Sequence, residues 1–225
     1  MSRYRHEYKY IIDNWEKSLL LLKSEGILQR DPHVNKDGIY VIRSLYFDDI
    51  NDKCFYENMA GIDDRSKFRI RYYNDSCNVI RLEKKSKLRG MTLKESCILS
   101  EEECKKIIRG EYVTSYDDEE KKKLLAELDI RGMKPKVIVT YERIPFIYQG
   151  GNVRITFDNN ISASTEVDSF LSGDYRQRPI IKDWQTILEV KWDEILPLHI
   201  KNALQLDTLR WTSFSKYYMC RTNCL

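Results

Sequence analysis

The sequence predicts an α+β fold: an eight-stranded antiparallel β tunnel or barrel with flanking helices. Three observations carry that prediction. Charges recur two residues apart within strand-like segments: Arg5, Glu7 and Lys9; Arg69 and Arg71; Arg81, Glu83 and Lys85; Arg154 and Asp158 about Thr156; Glu189 and Lys191. The skipped positions are largely apolar, among them Tyr8, Tyr10, Ile70, Tyr72, Ile80, Leu82, Ile155, Phe157, Leu188 and Val190. Alternate residues of a strand share a face, so each segment has one charged and one greasy side. The links Asn74-Asp75-Ser76 and Leu88-Arg89-Gly90 are short enough for antiparallel hairpins. An ordinary sheet turns its polar face to bulk water. So many cations at matched spacing, with a few Glu among them, point instead to a closed sheet whose charged lumen takes a polyanion and a metal ion.

Each element follows from a local signal. Residues 4–12 alternate and form the first strand. Asp13 and Glu16 make a capping box for a helix over Leu19–Leu22 that stops at Gly26. The segment 31–38 is a loop, and a strand follows over 39–48. A short helix spans 52–60, before Gly61. Strands then run over 65–74, 78–87 and 91–99. Ser100 and Glu103 form a second capping box, for a helix ending near Gly110. The charged stretch from Asp117 to Gly132 reads as a surface helix. Strands at 136–148 and 152–158 flank Gln149-Gly150-Gly151-Asn152. An irregular stretch reaches Pro179, a strand covers 186–193, and Pro197 opens a helical C-terminal part.

Composition narrows the classes. A hydrophobic fraction of 42% supports a core, while 32% charged residues is high for a globular chain. The net charge of +3 gives no global pull toward nucleic acid, so any anion preference lies in where the cations sit. No apolar run reaches the roughly 18 residues of a membrane span, and no signal region opens the chain. With no break in composition, the chain reads as one domain over 1–225, in the cytoplasm. The six cysteines show no CxxC spacing and the three histidines are scattered, which argues against zinc.

A lumen of long cations is under electrostatic load. Two like charges about 6 Å apart repel by roughly 3 kcal/mol at an effective dielectric of 20. Several such pairs rival the whole stability of a domain, about 5–15 kcal/mol. Glu7, Glu83 and Glu189 offset part of this, and a bound polyanion offsets the rest.

The same residues carry a family resemblance. Glu7-Tyr8-Lys9-Tyr10, Ser44-Leu45-Tyr46-Phe47-Asp48, Arg65 through Tyr72, Leu82-Glu83-Lys84-Lys85 and Lys94 appear in order. Tyr141-Glu142-Arg143, Val153 through Asp158, Leu188-Glu189-Val190-Lys191 and Phe214-Ser215-Lys216-Tyr217 follow. Each motif is weak alone, but their order and spacing from residue 5 to 217 make a strong combined match. The chain resembles the polyphosphate polymerase domain of the vacuolar transporter chaperone proteins, within the triphosphate tunnel metalloenzymes, or CYTH-like proteins. The resemblance implies a tunnel that binds the triphosphate of ATP and moves its terminal phosphate onto polyphosphate, with a divalent metal, Mn²⁺ or Mg²⁺. By position it implies catalytic cations Arg69, Arg71, Lys85, Arg154 and Lys191. Substrate contacts would come from Lys9, Lys94, Tyr141, Arg143, Ser215 and Lys216. Glu189 would be the main metal ligand, with Glu7 and Glu83 as further acids that hold metal or set the cations.

Arg5 stands where many tunnel enzymes begin ExExK with a metal-binding Glu. That weakens a two-metal hydrolase and favours a single-metal, more cationic transferase site. A triphosphate hydrolase and a non-catalytic polyphosphate- or nucleotide-binding module are the alternatives. Phosphoryl transfer needs charge neutralisation and in-line positioning more than a protein nucleophile, which suits this inventory. Tyr46 and Phe47 read as packing residues rather than base-stacking ones, Glu119 through Lys123 as a solvated helix face, and Arg43 and Asp158 as either tunnel-facing or strand-capping.

Overall fold

A computed structural model describes residues 5–112 and 118–224. Eight long strands form one curled sheet, every neighbouring pair antiparallel. In chain order these are β1 (His6–Ile12), β3 (Tyr40–Asp48), β4 (Arg65–Tyr73), β5 (Ser76–Leu88), β6 (Met91–Leu99), β7 (Lys134–Tyr148), β8 (Val153–Ser164) and β10 (Thr186–Trp192). Across the sheet the order is β1-β10-β8-β7-β3-β4-β5-β6. Two-residue strands β2 (Gln29–Arg30) and β9 (Arg178–Pro179) add to β7 and β8. Six helices flank the sheet: α1 (Asn14–Ile27), α2 (Lys53–Met59), α3 (Glu101–Ile108), α4 (Glu119–Ile130), α5 (Leu198–Ala203) and α6 (Lys216–Thr222). None of the described helices is long and apolar enough to cross a membrane.

The ends of the sheet meet at a bridge, where the Arg5 amide donates to the Thr92 carbonyl at 3.3 Å. Farther along the same edge of β1, the Thr212 amide donates to the Lys9 carbonyl at 2.8 Å and Trp211 bridges Tyr10. A strap of chain from Trp211 to Ser215 therefore lies along the wall that β1 and β6 leave partly open and ties to part of it.

Both hairpin tips have the backbone their two-residue turns require. Asn74 and Asp75 lie at φ 52° and 55°, Arg89 and Gly90 at 50° and 76°. Positive φ at both central positions matches the right-handed twist of the flanking strands. Both capping boxes form, Asp13 with Glu16 and Ser100 with Glu103. The first helix runs through Gly26 to Ile27. The helix expected from Asp117 spans Glu119–Ile130 among the described residues, capped by Asp118; Asp117 itself lies outside them.

The largest departure is β8, which continues to Ser164 instead of ending at Asp158. Asn160 takes φ 50°, and the register against β7 shifts between Thr140 and Glu142. Asn159 and Asn160, placed in the irregular stretch by the sequence reading, lie at a bulge, which bends a strand without ending it.

The apolar faces point outward beneath the helices. Phe68, Ile70 and Tyr72 of β4 join Ile80 and Leu82 of β5, Cys104 and Ile107 of α3, and Leu124, Leu125 and Leu128 of α4 in one buried cluster. Tyr10, Ile12, Ile155, Phe157, Leu188 and Val190 pack with Leu20 of α1 and Ile200 of α5 in another. The core thus lies outside the barrel wall, and the opposite parity of each strand is left to line the lumen.

Candidate functional site

Ladder register carries the charged residues to one face. Lys9 stands across from Glu189 and Glu7 from Lys191; Arg69 stands across from Glu83, and Lys67 from Lys85. Directly opposed residues share a face. A cavity of about 440 Å³ results, lined among the described residues by ten Lys or Arg side chains and by two acids, Glu7 and Glu189. Counting also Glu83 and Asp158, which bond lining cations, the tunnel keeps an excess of six positive charges.

The arginines are fixed in place. Arg69 donates from Nε to Glu83 Oε2 at 2.7 Å and from Nη1 to the Tyr46 hydroxyl at 3.1 Å. Arg71 donates to Ser44 Oγ at 2.9 Å and to the Tyr141 hydroxyl at 3.0 Å. Glu83 is 1% exposed, sits outside the cavity lining, and also pairs with Lys94 at 2.5 Å. Burial opposes its charge, but Arg69, Arg71 and Lys94 hold its pKa far below the usual carboxylate range. Its place in the fold is that of a strut for the arginine pair.

Deeper in, Arg143 forks onto Asp158 at 2.6 and 2.8 Å and reaches Glu189 at 3.2 Å. Lys216, the first residue of α6, meets Asp158 at 2.5 Å and lies 4.8 Å from the centre of the Tyr141 ring. Asp158 is fully buried and holds the lining cations Arg143 and Lys216, so it serves the tunnel rather than capping a strand. Arg43 has the opposite parity and bonds Asp75 at 2.5 Å and the Tyr175 hydroxyl at 2.7 Å, away from the cavity lining.

On β1 and β10, lysines and carboxylates interlace. Lys9 lies 2.9 Å from Glu7 and 3.7 Å from Glu189; Lys191 lies 3.9 and 3.1 Å from the same two acids. Lys85 adds a bond to Glu7 at 2.8 Å. Burial and the neighbouring Glu189 push Glu7 up, yet Lys85, Lys9 and Lys191 outweigh them and hold it at about 2. Burial likewise opposes Glu189, and Lys191, Lys9, Lys216 and Arg143 hold it well below its ordinary value. Burial lowers Lys191 to about 8 despite both acids.

A divalent ion asks for hard oxygen donors, and the residues present fit one. Glu7 and Glu189 are ionised and face the same cavity. Thr156 stands directly across the ladder from Glu189, buried, with a hydroxyl that has no hydrogen-bond partner among the described residues. No cluster of three or more His, Cys, Asp or Glu able to hold a metal occurs among the described residues. The protein therefore offers two carboxylates and leaves further positions to phosphate oxygens and water, the usual manner of Mg²⁺.

Of the expected residues, Lys9, Arg69, Arg71, Lys85, Tyr141, Arg143, Glu7, Glu189, Lys191, Ser215 and Lys216 line this one cavity. Glu83 and Lys94 lie just behind it. Arg154 does not line it: the side chain shares the face of Lys191 but turns to Asp31 at 3.5 Å and is 46% exposed. Lys67, Tyr46 and Trp211 are among the lining residues that escaped the sequence reading of the site. Lys67 follows the same parity as Arg69 and Arg71, a signal in plain view. Its amine donates to Ser215 Oγ at 2.8 Å. Burial first, then Lys9, Lys85 and Arg65, drive its pKa well below the usual lysine value. Tyr46 lines the cavity as well as packing on Tyr217 at 5.2 Å, so its reading as a packing residue alone was incomplete. Trp211 belongs to the strap, where no strand periodicity marks it.

A curled antiparallel sheet with its core outside and a cationic lumen within is the architecture of the triphosphate tunnel, or CYTH-like, proteins. A family model for the VTC domain matches residues 4–224, and the chain belongs to that family. Among solved structures, a putative adenylate cyclase from Bacillus halodurans aligns with a TM-score of 0.55 at 12% identity, over 95% of each chain. A putative adenylyl cyclase from Hippeastrum, described as having a dominant triphosphatase activity, aligns with 0.57 at 14% identity, over 99% of this chain and 96% of that one. At these identities the likeness is one of fold. No curated protein matches the chain.

Proposed function

We propose that this chain is a metal-dependent phosphotransferase of the polyphosphate polymerase type, moving the terminal phosphate of ATP onto a polyphosphate chain. The observation that carries this reading is the excess of six positive charges in one tunnel beside two ionised carboxylates. A binder of simple anions needs cations alone; the acids add a place for Mn²⁺ or Mg²⁺.

Arg69 and Arg71 hold phosphate oxygens by their forks, already aimed by Glu83, Ser44 and Tyr141. Lys9, Lys85 and Lys191 give up contacts with Glu7 and Glu189 to follow the phosphate chain as mobile point charges. Tyr141 accepts from Arg71 and keeps its own proton to donate to a phosphate oxygen. Glu189, with Glu7 beside it, would hold the divalent ion, which when bound neutralises charge on bridging phosphate oxygens. In the transfer, an ionised terminal oxygen of polyphosphate forms the new P–O bond as the bond to the β-phosphate oxygen breaks and ADP leaves. No proton has to move, so no general base is required. The six free cysteines suit a reducing, cytoplasmic setting.

The triphosphatase activity described for the Hippeastrum protein, which shares the fold, favours a second reading: hydrolysis of the same triphosphate. Incubation with ATP and Mn²⁺, scoring polyphosphate, free phosphate and ADP separately, decides. Polyphosphate with matching ADP supports transfer. Free phosphate without polymer supports hydrolysis, and tight binding without ADP under any divalent metal leaves a binding module.

A further inference from the structure

The cavity borders four consecutive residues of β1: His6, Glu7, Tyr8 and Lys9. Successive side chains of a strand point to opposite faces. The cavity lies along the free edge of this strand as well as its inner face, since residues of both parities and the strap beside that edge border it. That edge is the one β6 leaves largely unpaired. It is closed at one end by the Arg5–Thr92 bridge and at the other by the Thr212–Lys9 bond. Thr92, Trp211, Thr212 and Ser213 line the same cavity. The barrel wall thus has a lateral window between its two ties.

The window joins two unlike surfaces. On its inner side are Lys9 and Glu7, with Lys85 bonded to Glu7. On its outer side is an aromatic ledge. Tyr8 packs edge-on against Trp192 at 4.9 Å and meets Trp211 at 6.2 Å, while His6 stacks on Trp192 at 5.3 Å. Trp211 is 60% exposed and Tyr8 46%. Scattered exposed aromatics are ordinary. Two of them beside an opening into a cationic cavity form a surface with a use, because flat heterocycles stack on exposed rings and any base has a face to offer.

We propose that this window is the nucleobase subsite, with Trp211 as the stacking platform and Tyr8 beside it. The inference rests on the reading of the tunnel as a triphosphate site. The phosphates run inward along Lys9 and Lys85, the ribose crosses the edge of β1, and the base lies outside the barrel. Stacking is indifferent to the hydrogen-bonding edge, so the ledge separates nucleoside triphosphates from inorganic polyphosphate more sharply than one base from another.

The test compares ATP and inorganic tripolyphosphate without divalent metal, by calorimetric titration of the wild type, Trp211→Ala and Trp211→Phe. Trp211→Ala should weaken ATP roughly tenfold while tripolyphosphate binding stays unchanged. Trp211→Phe should recover most of the loss, and ATP but not tripolyphosphate should quench wild-type tryptophan emission by more than it quenches that of Trp211→Phe. If Trp211→Ala shifts neither ligand, or both equally, the base does not lie on Trp211 and the proposal is wrong. If the wild type binds neither ligand, the triphosphate reading itself fails and takes this proposal with it.

Discussion

On the wall built from β3, β4 and β5, guanidiniums are locked: Arg69 on Glu83 and Tyr46, Arg71 on Ser44. On the wall built from β1 and β10, ammonium groups and carboxylates share one another, with Lys9 and Lys191 each lying between Glu7 and Glu189. The first wall is held by bonds that need no anion, so little ordering should be spent on binding one. The second would have to exchange partners to take an anion, because its lysines neutralise the same acids a metal would use. Affinity should therefore reside mainly in the arginine wall and turnover in the lysine–carboxylate wall.

Two substitutions break that comparison most sharply. Glu189→Gln should lower Mn²⁺-dependent ATP turnover by about 100-fold or more, since it removes charge stabilisation felt most in the transition state. Metal-free tripolyphosphate should bind it as well as the wild type or better. Arg71→Ala should instead weaken tripolyphosphate binding and turnover together, by about ten- to a hundredfold. Titration and turnover measured on both variants check the pair; full activity in Glu189→Gln would remove Glu189 from the metal site.

Thermal stability sharpens the same division. Tripolyphosphate at about 100 times its Kd should add about 2.7 kcal/mol to the folded state. Chloride at matched ionic strength should add far less, because it screens without bridging several cations at once. Calorimetric melting of the wild type with each salt gives the difference, and Arg71→Ala should shrink it. Equal shifts from both salts would mean the charges act only as a solvated surface.

The smallest expected effect is protonic. Lys67 is pushed well below 10.5 by burial and by Lys9, Lys85 and Arg65. Above its folded pKa and below 10.5, the folded free protein has a neutral Lys67 while the unfolded chain binds the proton. The stability of the free protein contributed by this group therefore rises with pH across that window. A bound polyanion favours the charged amine, so binding takes up a proton, and affinity falls as pH rises. Titration in buffers of different ionisation enthalpy at about pH 9 to 10 should detect the uptake. Lys67→Arg should abolish it and keep the binding, whereas arginine-wall contacts should show no such dependence.

Parity made most of this legible in advance. The i, i+2 charges placed Lys9, Arg69, Arg71, Glu189 and Lys191 on one face, since a register slip by one residue would have put them in the core. Parity fixes a face but not where the end of a long side chain goes, and that is why Arg154 turns to Asp31 rather than into the cavity. The bulge at Asn160 escaped because an Asn pair reads alike in a turn and in a kinked strand. The strap from Trp211 to Ser215 escaped for a deeper reason: its place is set by bonds to Lys9 and Lys67, partners about two hundred and one hundred and fifty residues earlier.

That strap has a consequence for how the protein is made. β1, near the start of the sequence, cannot form its ladder until β10 has been synthesised, and Lys216 joins Asp158 later still. Contacts of such long separation form slowly and late. During translation the arginines of β4 emerge long before the segments that enclose them, and the enclosure does not exist until the strap and Lys216 have left the ribosome. A chain cut short before Trp211 should accumulate as a sheet with an unclosed seam rather than as a weak version of the finished site.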